Sequence, residues 1–167
     1  MIPATVNPYA KESDSYGLWE MCVRRDLEGF LAADWSICAG DFISEGFMGW
    51  DARHSADPME WVATYPNLET YQKAWLNGAQ DLKKNHLPDD IRDQLYALVS
   101  LVRIEINENT GIVHKKFKGQ IKFKNQLVQP LNWQSIFHLR KINGRWLQSG
   151  FIGYLPLDLG LTSSKIK

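Results

Sequence analysis

The chain has 167 residues, a length that fits one domain, since domains run to about 100–200 residues. Nineteen Lys and Arg balance 19 Asp and Glu, and 44% of residues are apolar, which excludes a disordered tail, a collagen-like repeat and a strongly basic nucleic-acid coat. A chain of this size buries roughly 70% of the surface its unfolded form exposes, so it needs no disulfide or metal to fold and has room for a cavity.

The N-terminus, Met1 to Tyr9, lacks the basic flank and apolar stretch of a signal peptide. The longest apolar stretch, Leu95 to Val102, is interrupted by Ser100 and falls far below the ~20 residues that span a bilayer. A soluble, cytoplasmic protein with no membrane partner is expected. Cys22 and Cys38 form neither a disulfide framework nor a zinc spacing and read as two buried thiols. Residues 1–93 hold 16 acidic and 8 basic side chains, and residues 94–167 hold 3 and 11, so the halves carry opposite formal charges of −8 and +8.

From Ser13, the residues Trp19, Cys22, Val23, Leu27, Phe30 and Leu31 recur at intervals of three and four, which predicts an amphipathic helix. Asp34 caps a second, short helix from Trp35 to Phe42, with Trp35, Cys38 and Phe42 on its inner side. The segment Glu45 to His54 loses the helical period, and its glycines predict a short strand or irregular crossing. Asn67 caps a third helix with Leu68, Tyr71, Trp75, Ala79 and Leu82 as its buried stripe.

The second half reads as strands. Leu95 to Ile106 is rich in branched residues, and Val113, Phe117, Ile121 and Phe123 then alternate with Lys116, Lys118, Lys122 and Lys124. Asn143-Gly144 specifies a two-residue hairpin with both turn residues at positive φ. That turn predicts the pairs Ile142 with Arg145, Lys141 with Trp146, Leu139 with Gln148, Phe137 with Gly150 and Ser135 with Ile152. One face then carries Phe137, Leu139, Trp146 and Ile152, with Gln148 as its polar exception. The other carries Ile136, His138, Arg140, Leu147, Ser149 and Phe151, a mixed surface expected to pair with a second copy of the chain.

Helices followed by an antiparallel run imply an α+β domain. The helical hairpin ending at Phe42, the crossing Gly46 to Arg53, the Asn67 helix with Tyr71 and Trp75, and the closing Asn143 to Trp146 hairpin together resemble the nuclear transport factor 2-like superfamily (SnoaL-like, ketosteroid isomerase-like). The resemblance implies a cystatin-like cone, with N-terminal helices packed on a curved antiparallel sheet over residues 13–156, an extension over 1–12 and a tail over 157–167. The superfamily includes steroid isomerases, polyketide cyclases, dehydratases, epoxide hydrolases and non-catalytic association domains, so the likeness identifies fold ahead of function. The aspartate base of its steroid isomerases falls near Gly46, with Glu45 preceding it, and is not carried over; Tyr16 lies near the start of the first helix, with no matching acid partner. Arg103 and Glu105 share a strand face, but the second carboxylate of the epoxide hydrolases is not assignable.

Asp51 and His54, clustered with Arg53 in the aromatic crossing, are the candidate general bases; the alternative is that Asp51 and Arg53 pair and simply hold the loop. Tyr16, Trp50, Arg53, Trp61 and Gln148 are the candidate binding residues, Gln148 because an amide in an apolar wall orients a carbonyl or hydroxyl. The four histidines show no metal-ligand spacing and no nucleotide loop follows a strand, so neither metal nor cofactor is expected. The basic run Lys115, Lys116, Lys118, Lys122 and Lys124 falls mostly on a solvated strand face without a stacking platform, so nucleic acid is not an expected partner. The expected function is binding of a small, largely apolar molecule between helices and sheet, with acid/base isomerase, lyase or hydrolase chemistry; the alternative is a non-catalytic binding or association module. The catalytic version requires a buried ionisable group facing the cavity.

Overall fold

The Ser13 side chain accepts a hydrogen bond from Tyr16 N and opens the first helix. In the computed structural model, which describes residues 1–159, this helix runs as α1 (Asp14–Trp19), a π-helical segment (Glu20–Arg25) and α2 (Asp26–Ala32). It stops at Ala33, whose φ of 52° is left-handed. The short helix expected over Trp35 to Phe42 is two 3-10 turns, Trp35–Ile37 and Ala39–Asp41, separated at Cys38. Its inner side is as expected, with Trp35 and Cys38 buried and the Trp35 and Phe42 rings stacked at 4.9 Å.

There follow β1 (Met48–Asp51), β2 (Val62–Tyr65), α3 (Leu68–Lys83) capped by Asn67, α4 (Ile91–Leu98), β3 (Val99–Asn107), β4 (Thr110–Lys122), β5 (Val128–Ile142) and β6 (Arg145–Leu155). The strand expected from Leu95 begins at Val99 instead. Leu95 and Tyr96 are buried on α4 against Trp19 and Ile121, so tertiary contacts override the branched composition there. The six strands form one curved, open sheet in the order β2-β1-β6-β5-β4-β3. The sheet is mixed, because the crossing segment adds β1 parallel to β6 at one side of the antiparallel run. Gly150 makes that pairing possible: a Cβ there would overlap the Met48 carbonyl oxygen.

Asn143 and Gly144 form the expected turn with φ of 50° and 75°, and the pairs from Ile142–Arg145 to Leu139–Gln148 match the expectation. Beyond them β6 bulges at Ser149, so His138 faces Gly150 and Phe137 faces Phe151. One extra residue reverses the side chains that follow, up to a second register shift past Ile152. Phe151, expected outward, is therefore inside at 5% exposure, and it leaves the expected dimer face.

All helices cover one face of the sheet, where three apolar clusters form around Val23, Tyr96 and Ile121, around Met21, Val113 and Trp146, and around Trp35, Trp75 and Ala79. The expected N-terminal extension is docked: Asn7 donates to Tyr16 O and Glu20 Oε1, and Arg24 donates to Thr5 O. Of the expected tail, residues 160–167 lie outside the described residues. No helix among the described residues is long and apolar enough to cross a membrane.

Candidate functional site

A cavity of about 440 Å³ lies between the helices and the concave face of the sheet. The first helix contributes Met21, Cys22, Asp26 and Phe30, α3 contributes Tyr71 and Trp75, and the sheet contributes Lys115, Phe117, Trp133, Phe137, Gln148 and Phe151. Its surface is mostly ring and aliphatic carbon. The lining residues Asp81, Asn85, Gln129 and Tyr154 are exposed; the first three place a mouth between the end of α3 and the start of β5, and Tyr154 borders the cavity beside Trp133.

Charged side chains interrupt the apolar wall: Asp26, Lys115 and Asp41 inside and Asp81 at the mouth. Lys115 lies on the inward face of β4 between Val113 and Phe117, opposite Ser135, and its side chain is only 2% exposed. Its Nζ donates to Asp26 Oδ2 at 2.7 Å and to Cys22 O at 2.5 Å, and sits 5.0 Å from the Phe117 ring centre. The π-helical turn makes that second bond possible. Asp26 N turns to Val23 O instead of Cys22 O, and the Cys22 carbonyl accepts from the lysine. Asp26 Oδ1 accepts from Trp75 Nε1 at 3.2 Å, so one carboxylate ties together the first helix, α3 and β4 while 30% of its side chain stays exposed.

Asp41, also buried, accepts a two-point contact from Arg25 Nε and Nη2 at 2.7 and 2.9 Å and a third bond from Arg145 Nη2 at 3.1 Å. Gly40 leaves the space the Arg145 guanidinium occupies. This cluster closes the cavity behind Cys38 and Phe42. Burial pushes the thiols of Cys22 and Cys38 up to about 12 and the Tyr71 hydroxyl well above its ordinary value, so all three are neutral near pH 7. Gln148 is 5% exposed, and its Nε2 is a buried donor without an acceptor among the described residues.

Of the residues expected to form the site, only Gln148 lines the cavity. Asp51 accepts from Arg53 N at 2.8 Å, so the expected Asp51–Arg53 contact is a backbone turn. Arg53 and His54 are exposed with φ of 54° and 60°, and His54 N donates to Tyr154 O at 2.8 Å. Trp50 is 36% exposed, Trp61 Nε1 donates to Ser55 O at 3.0 Å, and Tyr16 borders an outer groove beside Trp146. The crossing is thus pinned as a turn outside the cavity. Asp26 is absent from the expected site, and Lys115, expected with a basic run lying mostly on a solvated strand face, is instead buried at 1% exposure, although two periodicities mark them. Asp26 is four residues from both Cys22 and Phe30 on the buried helical stripe, and Lys115 shares strand parity with Val113 and Phe117. Among the described residues, no group of three or more His, Cys, Asp or Glu side chains is placed to hold a metal ion.

No protein-family model matches the sequence, and no curated protein matches it. Solved structures do match in three dimensions. An NTF2-like protein of unknown function from Shewanella baltica OS155 superposes with a TM-score of 0.54 at 13% identity, covering 87% of this chain and 95% of that one. An NTF2-like protein of unknown function from Methylobacillus flagellatus KT gives 0.53 at 9% identity, covering 89% and 96%. A domain of unknown function with a cystatin-like fold from Nostoc punctiforme PCC 73102 gives 0.54 at 8% identity, covering 86% and 78%. The chain therefore has the NTF2-like, cystatin-like α+β fold that its sequence resembles.

Proposed function

We propose that the cone takes up a small, largely apolar molecule and that Asp26 acts on it as the general base of an isomerase, lyase or hydrolase reaction. The Asp26–Lys115 pair in the wall of an otherwise aromatic cavity carries this reading. A buried ion pair is often no more stabilising than well-packed apolar residues of the same volume, so stability alone does not account for it. A carboxylate facing a mostly apolar cavity, with its orientation held by an ammonium and an indole, is arranged for proton transfer. Each Asp26 oxygen accepts one bond, and a carboxylate has about four acceptor sites, so lone pairs remain for a substrate proton.

The test is incubation of the purified protein with a metabolite extract, followed by native mass spectrometry of what remains bound. The wild type should retain a small molecule, and Asp26→Asn should retain it unconverted. Nothing retained by the wild type would overturn the cavity reading. Equal conversion by Asp26→Asn would exclude Asp26 as the base, and a molecule retained unconverted by the wild type as well would leave the non-catalytic binding alternative.

The same reading includes a homodimer through the outer face of the sheet. Ile136, His138, Arg140, Leu147 and Ser149 remain candidates for that face, Ile152 takes the place expected for Phe151, and Ile112 and Ile142 beside them are 40% and 39% exposed. Apolar side chains grouped on a face that no helix among the described residues covers favour a partner there.

A further inference from the structure

Resting on the cavity reading above, we infer that the molecule the cone accepts is uncharged and enters oxygen first, its carbonyl-type oxygen accepting from Gln148 Nε2 at the closed end. Gln148 lies opposite Leu139 on the inner face of β6, between Trp146 and Phe151 in sequence, and these three neighbours carry no acceptor side chain. Its backbone is fixed, because Ile43 N donates to Gln148 O at 2.9 Å. Its terminal amide torsion is soft, so Nε2 can turn to meet an oxygen presented from the cavity. An unmade bond to a buried donor is costly, and a ligand that supplies the acceptor recovers that cost on binding.

The direction follows from the placement of the mouth. Gln129, at the opening, lies ten residues along β5 from Leu139, the residue opposite Gln148, a strand contour of at most about 33 Å at ~3.3 Å per residue. The amide therefore sits at the opposite end, closed by the Trp35–Ile37 and Ala39–Asp41 turns. Neutrality follows from the charges. Inside, Asp26 is matched by Lys115, and Asp41 is held by Arg25 and Arg145, whose surplus positive charge sits on side chains that are 34% and 59% exposed and outside the cavity lining; Asp81, at the mouth, is matched by Lys84. A charged ligand would have to break one of these pairs or remain unpaired in an apolar slot.

Isothermal titration of three matched probes tests the inference: acetylnaphthalene, isopropenylnaphthalene, in which a methylene replaces the oxygen, and naphthoate. The wild type should bind acetylnaphthalene roughly tenfold tighter than isopropenylnaphthalene and naphthoate least. Gln148→Met, close in shape, should equalise the two neutral probes and leave isopropenylnaphthalene unchanged. The wild-type order stands as a test even if that variant does not fold. Tightest binding of naphthoate, or a ketone preference that survives Gln148→Met, would overturn the inference. Equal binding of the neutral probes by the wild type refutes it while leaving the cavity reading intact, and binding of none of the three defeats both.

Discussion

Lys115→Met separates a structural from a functional account of the buried pair. The substitution removes a side chain that is 2% exposed, leaves Asp26 with the Trp75 indole as its remaining donor, and takes the ammonium from Cys22 O. Breaking one side of a buried pair costs about 3–5 kcal/mol. Because the Asp26 side chain keeps 30% exposure, the lower end applies, about 3 kcal/mol. In a domain of this size that lowers Tm by roughly 6–12 °C. The double variant Lys115→Met with Asp26→Asn removes the stranded charge, and the Asn oxygen still accepts from Trp75. It should recover most of the loss, with a coupling on the order of 2 kcal/mol in the double-mutant cycle. Urea unfolding followed by tryptophan fluorescence measures all four proteins, and an unchanged m-value confirms that the native state is comparable. A Lys115→Met variant within about 0.5 kcal/mol of wild type, or a double variant no more stable than the single, would show that Lys115 and Asp26 are not a charge-compensating buried pair. The double variant, though stable, should retain no converted product.

Gly150→Ala should cost about 1–3 kcal/mol by overpacking and should speed amide exchange over Met48 to Asp51, since the new Cβ overlaps the Met48 carbonyl and opens the parallel pairing; unchanged exchange there would contradict the assigned pairing. Sedimentation at micromolar concentration should show a species above the 19.2 kDa chain mass, and Leu147→Glu should dissociate it; a wild-type monomer would defeat the assembly. Burial first, and then the neighbouring Arg103 charge, hold the His114 imidazole below its ordinary 6.5. Between that lowered value and 6.5 the unfolded chain binds more protons, so stability should fall as pH drops through this window. His114→Gln should flatten the slope measured from about pH 7 to about pH 5, and an identical slope would exclude His114 as its source.

Features legible in the sequence are those encoded by neighbours in the chain. Ser13 and Asn67 cap their helices because their side chains meet backbone donors three residues on. Asn143-Gly144 turns because both residues tolerate positive φ. Alternation put Val113 and Ile121 in the core and Phe117, partly buried, in the cavity wall, and helical spacing put Trp19, Leu27 and Trp75 inside; together these determined an α+β domain with helices over a sheet. Gln148 was also readable, as a polar residue opposite Leu139 in a register that the turn had already set.

Tertiary structure decided the rest. The bulge at Ser149 moved Phe151 from the outer face to the cavity, and parity counted from a turn has no means of foreseeing an extra residue. The crossing around Asp51 became a turn outside the cone because β1 found β6 in parallel, a contact between segments about 100 residues apart in the chain. Asp26 and Lys115 are 89 residues apart. Each periodicity placed a charge facing inward, but a buried charge is tolerable only with a partner, and that partner exists only once the π-helical turn of the first helix has docked against β4.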